Sequence, residues 1–201
     1  MTKQLVKVEK NGQIGSIVLN NPNFNELTFE MIAQLDAALK DVKNDPDVRV
    51  VVLKSALTGA FSAGAKVSEI YKLLNEGNIA KIQEVISSAN RLANELSNLG
   101  KPTVAFIRGM CLGGGNELVM ACNWRVATKD AVFGQPEIRL GIIPGMGGTQ
   151  RLPRILNDAE KAIWMLVTGE TIKAKDALEL GLIDAMFGSA KELDGWLTTN
   201  L

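Results

Sequence analysis

The sequence of 201 residues contains no histidine. This absence excludes Ser-His-Asp and Cys-His catalytic groups, and it excludes any metal site built on imidazole ligands. Acid-base chemistry would therefore depend on carboxylates, lysines, cysteines or the single tyrosine, Tyr71. We expect no metal in the site.

Cysteine is scarce, with only Cys111 and Cys122 in the chain. Two thiols in a chain of this length do not form a disulfide framework, and their apolar neighbours favour buried, reduced side chains. Apolar runs long enough to cross a membrane are also missing, and the polar start MTKQLVKVEKNG has no signal-peptide core. We therefore expect a cytoplasmic protein that does not bind membranes.

The sequence has no excess of charge of either sign, because 22 lysines and arginines balance 22 aspartates and glutamates. This balance gives no electrostatic reason to expect nucleic acid as a partner. Hydrophobic residues make up 46% of the chain, which is ordinary for a globular protein. Without a composition shift or a repeat, we expect one domain over residues 1–201.

Apolar patterning predicts strands that alternate with helices. Short β-branched or continuous apolar runs predict strands, at 14–20, 48–54, 103–107, 124–128 and 182–187. Helical spacing and capping residues predict helices, at 28–43, from about 67, 78–99, 148–156, 159–167 and 174–180. The alternation indicates an α/β fold with a largely parallel sheet, in which 134–148 is a loop rich in glycine and proline.

Three segments rich in glycine, at 59–64, 109–115 and 141–148, are candidates for the binding crevice of such a sheet. Glycine allows the backbone to approach a ligand closely, and amides at the start of a helix favour negative charge. That charge could belong to a phosphate or to a developing oxyanion. The phosphate-loop and dinucleotide patterns are both incomplete here, which favours the oxyanion.

Two carboxylates accompany these segments. Glu117 follows the glycines Gly113–Gly115 at the start of an apolar helix, and Glu137 lies in the loop GQPEIRLG. Burial would raise the pKa of either carboxyl group toward neutrality, as general acid-base catalysis requires. The alternative is structural: Glu117 would then serve the helix dipole, and Glu137 would cap a turn.

Four segments resemble those of the enoyl-CoA hydratase/isomerase family, the crotonase superfamily. They are 61–66 (FSAGAK), 101–124, 131–154 and 166–184, and the runs GGGNEL and GQPEIRLGIIPGMGGTQRL are the most specific. With the opening strand and 21–27, the resemblance covers nearly the whole chain. It implies a crotonase-like spiral of ββα units with a mostly parallel sheet.

The resemblance also implies a role for particular positions. The amides of Ala65 and Gly114 would hold the thioester oxygen of an acyl-CoA, and Glu117 and Glu137 would hold a water between them. Gly145 would help to hold that water through its amide. The residues expected to bind the rest of the substrate are Ala63, Gly64, Lys66, Ser68 and Gly113. Coenzyme A would be part of the substrate, and no other cofactor is implied.

The implied reaction is the addition of water to a 2-enoyl-CoA, a step of fatty acid beta-oxidation, by a homotrimer or a dimer of trimers. The presence of both glutamates favours hydration over Δ3-Δ2 isomerisation, for which the family typically keeps only the second. Sibling acyl-CoA reactions and a protein that binds acyl-CoA without turnover are the alternatives.

The sequence departs from the family pattern at two points. Lys66 stands where the family usually has aspartate. It is expected to be solvated, to contact a phosphate of coenzyme A or to indicate an altered substrate. Family members usually continue into a further C-terminal helical region, which this chain, ending at Leu201, is expected to lack.

Overall fold

Ten strands and eight helices follow one another along residues 3–189 and 191–200, the part of the chain that the computed structural model describes. The strands are β1 (Val6–Asn11), β2 (Ile14–Leu19), β3 (Val50–Ser55), β4 (Ala60–Ser62), β5 (Thr103–Ile107), β6 (Met110–Leu112), β7 (Trp124–Thr128), β8 (Val132–Gly134), β9 (Thr171–Lys173) and β10 (Ala185–Phe187). The helices are α1 (Phe29–Asn44), α2 (Val67–Asn75), α3 (Ile79–Ser97), α4 (Gly114–Met120), α5 (Gly148–Ile155), α6 (Ala159–Thr168), α7 (Ala174–Glu179) and α8 (Glu192–Asn200).

The larger sheet has six strands in the order β1-β2-β3-β5-β7-β10. Only the hairpin of β1 and β2 is antiparallel, and the other neighbours pair in parallel. Its central strand β5 is buried along its whole length, which explains its continuous apolar sequence TVAFI. The predicted mostly parallel α/β fold is confirmed.

The smaller sheet has four strands in the order β4-β6-β8-β9. Each strand has three residues, and β4, β6 and β8 pair in parallel while β9 runs antiparallel to β8. A strand of three residues is too short for a hydrophobic period to stand out, and the sequence patterns do not predict this sheet. It matters for function because β6 leads directly into the glycines of α4.

The two faces of the larger sheet are covered by different elements. On β5, Ala105 and Ile107 belong to the main core, which includes buried residues of α1, α3 and α4. Val104 and Phe106 point the other way and pack with Leu193 of α8 in a second cluster. This alternation, typical of a strand, places α8 on the opposite side of the sheet from α4.

Most predicted elements agree with the structure to within one or two residues, and the strands at 103–107 and 124–128 agree at both ends. The prediction of a loop through 134–148 is wrong in part, because Pro136–Leu140 form a short 3₁₀ helix that proline at its start favours. The last predicted strand is shorter, Ala185–Phe187. The hairpin strand β1 is missing from the prediction because it is an edge strand with one buried residue and hence no alternation.

Among the residues described, every helix is too short or too polar to cross a lipid bilayer.

Candidate active site

A cavity of about 250 Å³ lies between the glycine-rich segments and helices α2 and α3. It brings together nine of the ten residues that the sequence singled out: Ala63, Gly64, Ala65, Lys66, Gly113, Gly114, Glu117, Glu137 and Gly145. Ser68 is not among the lining residues, because it is exposed in the first turn of α2. Its predicted contact with substrate has no support from the cavity.

Glu117 lies in the first turn of α4 and is almost completely buried, with 2% of its surface exposed. Its Oε1 accepts hydrogen bonds from the backbone amides of Met146 (2.8 Å) and Gly148 (2.6 Å). Burial raises the pKa of Glu117, and the two amides and the charge of Arg151 partly oppose that rise. The two amides and Arg151 therefore offset part of the cost of burying a carboxylate at this position.

Glu137 lies in the 3₁₀ helix and is 8% exposed. Its Oε2 is buried and has no hydrogen-bond partner within the described part of the protein. Burial raises the pKa of Glu137 to about 7, its own backbone amide opposes this rise, and the charge of Glu117 adds to it. A carboxyl group with this pKa can hold or release a proton near neutral pH.

The backbone of Ala65 approaches the start of α4 closely. A Cβ atom on Gly114 would lie 3.8 Å from the Ala65 nitrogen, and one on Gly64, where φ is +89°, would lie only 2.9 Å from the Leu112 oxygen. The Leu27 amide donates to the oxygen of Gly64 and the Lys66 amide donates to the oxygen of Leu27, so the amide of Ala65 points away from that bridge. The amide of Gly114 is the first of its helix and has no acceptor within the helix.

Glycine is required at Gly148 because its backbone lies against the carboxylate of Glu117. A Cβ atom there would lie 2.9 Å from Glu117 Oε1 and 2.9 Å from Pro144 Cβ, and closer still to the amide of Gln135. The absence of a side chain therefore allows the Gly148 amide to reach Glu117. The sequence pointed to Gly145 in this segment, but it did not identify Met146 and Gly148, whose amides donate hydrogen bonds to Glu117.

Gln135 is a second residue that sequence reasoning missed. It is completely buried, and its amide nitrogen, in the orientation that satisfies both ends of the group, donates to the oxygens of Gly113 (3.1 Å) and Gly134 (2.9 Å). It thereby fixes the glycine loop to β8. The signal in the sequence is its place directly before Pro136 and Glu137 in the segment GQPEIRLG.

The rest of the cavity is apolar and formed mainly by α2 and α3. The two helices contribute branched side chains, namely Ile70, Leu73, Leu74, Ile82, Val85 and Ile86. Such a wall suits a hydrocarbon chain and gives no specific partner to a polar group.

The two cysteines are poor candidates for chemistry in this environment. Cys111 and Cys122 are free and buried, and burial raises the pKa of both thiols, that of Cys122 to about 12. In residues 3–189 and 191–200, His, Cys, Asp and Glu side chains form no group of three or more that could hold a metal ion.

A model of the family described as Enoyl-CoA hydratase/isomerase matches residues 9–199. A short-chain-enoyl-CoA hydratase of Clostridium acetobutylicum is 35% identical over 202 residues, which cover 97% of this chain and 76% of the relative. A peroxisomal fatty acid beta-oxidation multifunctional protein of Arabidopsis thaliana is 37% identical over 189 residues, or 94% of this chain and 26% of that protein. The crystal structure of an enoyl-CoA hydratase from Bacillus anthracis superposes with a TM-score of 0.88 at 32% identity, covering 98% of this chain and 74% of that one.

Proposed function

Because the chain belongs to the enoyl-CoA hydratase/isomerase family, we propose that it adds water across the 2,3 double bond of a 2-enoyl-CoA thioester. The observation that carries this proposal is the pair of buried glutamates, Glu117 and Glu137, in one cavity beside the backbone of Ala65 and Gly114. The reaction belongs to fatty acid beta-oxidation, the process named for the Arabidopsis relative.

The amides of Ala65 and Gly114 bind the thioester oxygen. Addition of water to the β-carbon shifts electrons toward that oxygen and gives an enolate-like state. Backbone donors that are already in place stabilise the developing charge, and one such donor is typically worth about 10²- to 10³-fold in rate. The close approach of Ala65 to Gly114 supports this assignment.

Glu117 is the base and Glu137 is the acid. Glu117 takes a proton from water as the water oxygen bonds to the β-carbon, and the protonated Glu137 gives its proton to the α-carbon. The different environments of the two glutamates support these roles. Two amides favour the charged form of Glu117, whereas burial raises the pKa of Glu137 to about 7. The active pair carries one proton, on Glu137. After the reaction the proton that Glu117 took from water passes to Glu137, which restores the pair for the next turnover.

The apolar wall of α2 and α3 binds the acyl chain, and the backbone from Ala63 to Val67 lines the path of the coenzyme A arm. The lack of polar partners on the wall supports the first assignment. Lys66, half-buried at this cavity, carries the positive charge that suits a phosphate of coenzyme A. Coenzyme A is part of the substrate, and the reaction as written needs no other cofactor.

Assembly and location are further parts of the proposal. We propose a homotrimer or a dimer of trimers on the family resemblance, and a cytoplasmic location supported by two reduced, buried thiols.

The test is hydration of crotonyl-CoA by the purified chain, followed by loss of the enoyl-thioester absorbance. Glu117→Gln and Glu137→Gln should each lower kcat about 10²- to 10⁴-fold, which is the usual contribution of a general acid or base to the rate. Glu84→Gln, an exposed glutamate on α3, is the matched control.

No hydration by the wild-type chain, together with conversion of a β,γ-enoyl-CoA that survives Glu117→Gln, would replace the proposal with isomerisation. Binding of coenzyme A thioesters without product from either substrate would show a binding protein instead.

A further inference from the structure

The turn at residues 145–148 presents two amide hydrogens to Glu117 while its carbonyl groups are held from the other side. The oxygen of Gly145 accepts a hydrogen bond from Asn90 Nδ2 on α3. The oxygen of Met146 accepts from Arg151 Nη1 at 2.6 Å. The oxygen of Gly147 accepts from the Arg151 backbone amide at 2.8 Å. The carbonyl groups of Gly145, Met146 and Gly147 thus each have a donor.

A trans peptide group is planar, and its C=O and N–H point in opposite directions. The oxygen of Gly145 and the amide of Met146 belong to one peptide group, so the contact with Asn90 directs the Met146 N–H toward Glu117. The oxygen of Gly147 and the amide of Gly148 belong to another, so the start of α5 directs the second N–H in the same way.

Arg151 connects this turn to α3 a second time. Its Nη2 donates to Asn94 Oδ1 at 2.9 Å, and Asn94 lies one helical turn after Asn90. The guanidinium is also close enough to Glu117 for its charge to lower the pKa of that carboxyl group. Glu137 is also close enough to be affected, because the charge of Glu117 raises the pKa of Glu137.

We propose that Asn90, Asn94 and Arg151 are positioning residues, which hold the turn at 145–148 so that its amides stabilise Glu117 as the base. The part of this inference that concerns hydration rests on the proposed function. The contacts themselves involve no substrate, and they act on Glu117 whatever reaction it performs.

The test compares Asn90→Ala and Arg151→Ala with the wild-type chain. The controls are Gln83→Ala, an exposed amide on α3, and Arg154→Ala, an exposed arginine one turn further along α5. Loss of a side-chain hydrogen bond to a carbonyl group of the turn should lower kcat about 10- to 100-fold. This decrease is smaller than the one expected for full loss of a preorganised donor. KM for crotonyl-CoA should change less than about threefold, because these residues act on the base and not on binding.

The pH dependence separates positioning from general loosening. Weaker amide contacts and a missing guanidinium both favour the neutral form of Glu117, so its pKa should rise. The acidic limb of kcat against pH should move to higher pH in both variants and in neither control. Asn94→Asp keeps the acceptor for Arg151 and should retain activity, whereas Asn94→Ala should lower kcat. Both changes are at an exposed position that folding tolerates.

Carbon-13 NMR titration of the Glu117 carboxyl group in the same variants needs no turnover. It distinguishes a failure of this inference from a failure of the proposed function, since a wild-type chain without hydratase activity can still be titrated. An unchanged pKa of Glu117 in Asn90→Ala and Arg151→Ala, or a change confined to KM, would overturn the inference. A higher pKa with unchanged controls would support it.

Discussion

At the scale of single residues, two glutamates of one cavity differ because their partners differ. Glu117 accepts two backbone amides, whereas Glu137 leaves a buried oxygen without a partner among the described residues. Desolvation is the largest influence on the pKa of both groups, so the hydrogen bonds decide which remains charged more easily. This difference supports the proposed division into base and acid.

The cost of burying Glu137 predicts a pH-dependent stability. Its pKa is about 7 in the folded chain against 4.5 for the exposed group, so between these values the folded state binds more protons than the unfolded state. Stability from this group is therefore fully present below about pH 4.5 and is lost as pH rises through about 7. The shift corresponds to roughly 3 kcal/mol at most.

Glu137→Gln removes this dependence, because glutamine is neutral at every pH. We expect the variant to unfold at a higher temperature than the wild-type chain at about pH 8, with the difference shrinking toward pH 5. Thermal unfolding by circular dichroism across that range measures it. Exposed Glu84→Gln should show no such trend, and a constant difference at all pH values would contradict the burial argument.

Gly148→Ala tests the requirement for a bare backbone beside Glu117. Its Cβ would lie 2.9 Å from Glu117 Oε1, so the turn must shift and the Gly148 amide must leave the carboxylate. We expect kcat for hydration to fall about 10²-fold, by analogy with loss of one preorganised donor.

Gly59→Ala is the matched control, because a Cβ atom at Gly59 has nothing within 4 Å. Steady-state kinetics of both variants make the comparison. Equal activity of Gly148→Ala and Gly59→Ala would show that the contact with Glu117 is dispensable.

At the scale of elements, α3 connects the cavity with the turn at residues 145–148. One part of its surface gives Ile82, Val85 and Ala89 to the cavity, while Asn90 anchors the carbonyl of Gly145. Helical spacing allows this, since neighbouring positions in the sequence face different directions.

Ala89→Leu should shorten the acyl cavity. Ala89 is buried and lines it, so a larger side chain occupies space that the distal carbons of a long acyl group need. We expect kcat/KM for an octenoyl-CoA to fall roughly 10-fold or more relative to crotonyl-CoA, the range for misfitted methylene groups. Parallel kinetics with both substrates measure the ratio.

Ala80→Leu, at an exposed position of the same helix, should leave that ratio unchanged. An equal loss with both substrates in Ala89→Leu would indicate general overpacking, and it would contradict acyl binding at this wall.

At the scale of the whole molecule, the larger sheet separates the active site from α8. The site lies among elements of the main core, whereas α8 buries Leu193 and Leu197 against the opposite face. Stability and catalysis should therefore respond differently to changes on this face. The extent of a single domain over residues 1–201 stays a prediction.

Leu197→Ala should lower the free energy of unfolding by about 2 to 5 kcal/mol, as buried leucines typically do. The kcat of the folded fraction should stay within about twofold, because the sheet lies between Leu197 and the glutamates. Urea unfolding and kinetics at low urea measure the two effects. Thr198→Ala, exposed on the same helix, should change stability by about 0.5 kcal/mol or less. A parallel loss of kcat in Leu197→Ala would show that α8 supports the site.

The sequence by itself determined which residues are candidates for the chemistry and most of the elements that hold them. The runs around Glu117 and Glu137 are local and specific, and the nearly continuous apolar sequence of β5 shows its burial directly. Such features are visible because neighbouring positions along the chain carry the signal.

Only the tertiary structure decided how the two glutamates differ and what holds them. Glu117 meets Met146 and Gly148 across about 30 positions of sequence, and Asn90 reaches Gly145 across 55. The smaller sheet likewise depends on pairing between strands too short to have a pattern. Burial and backbone hydrogen bonds set a pKa, and both arise from contacts between distant segments that no local pattern encodes.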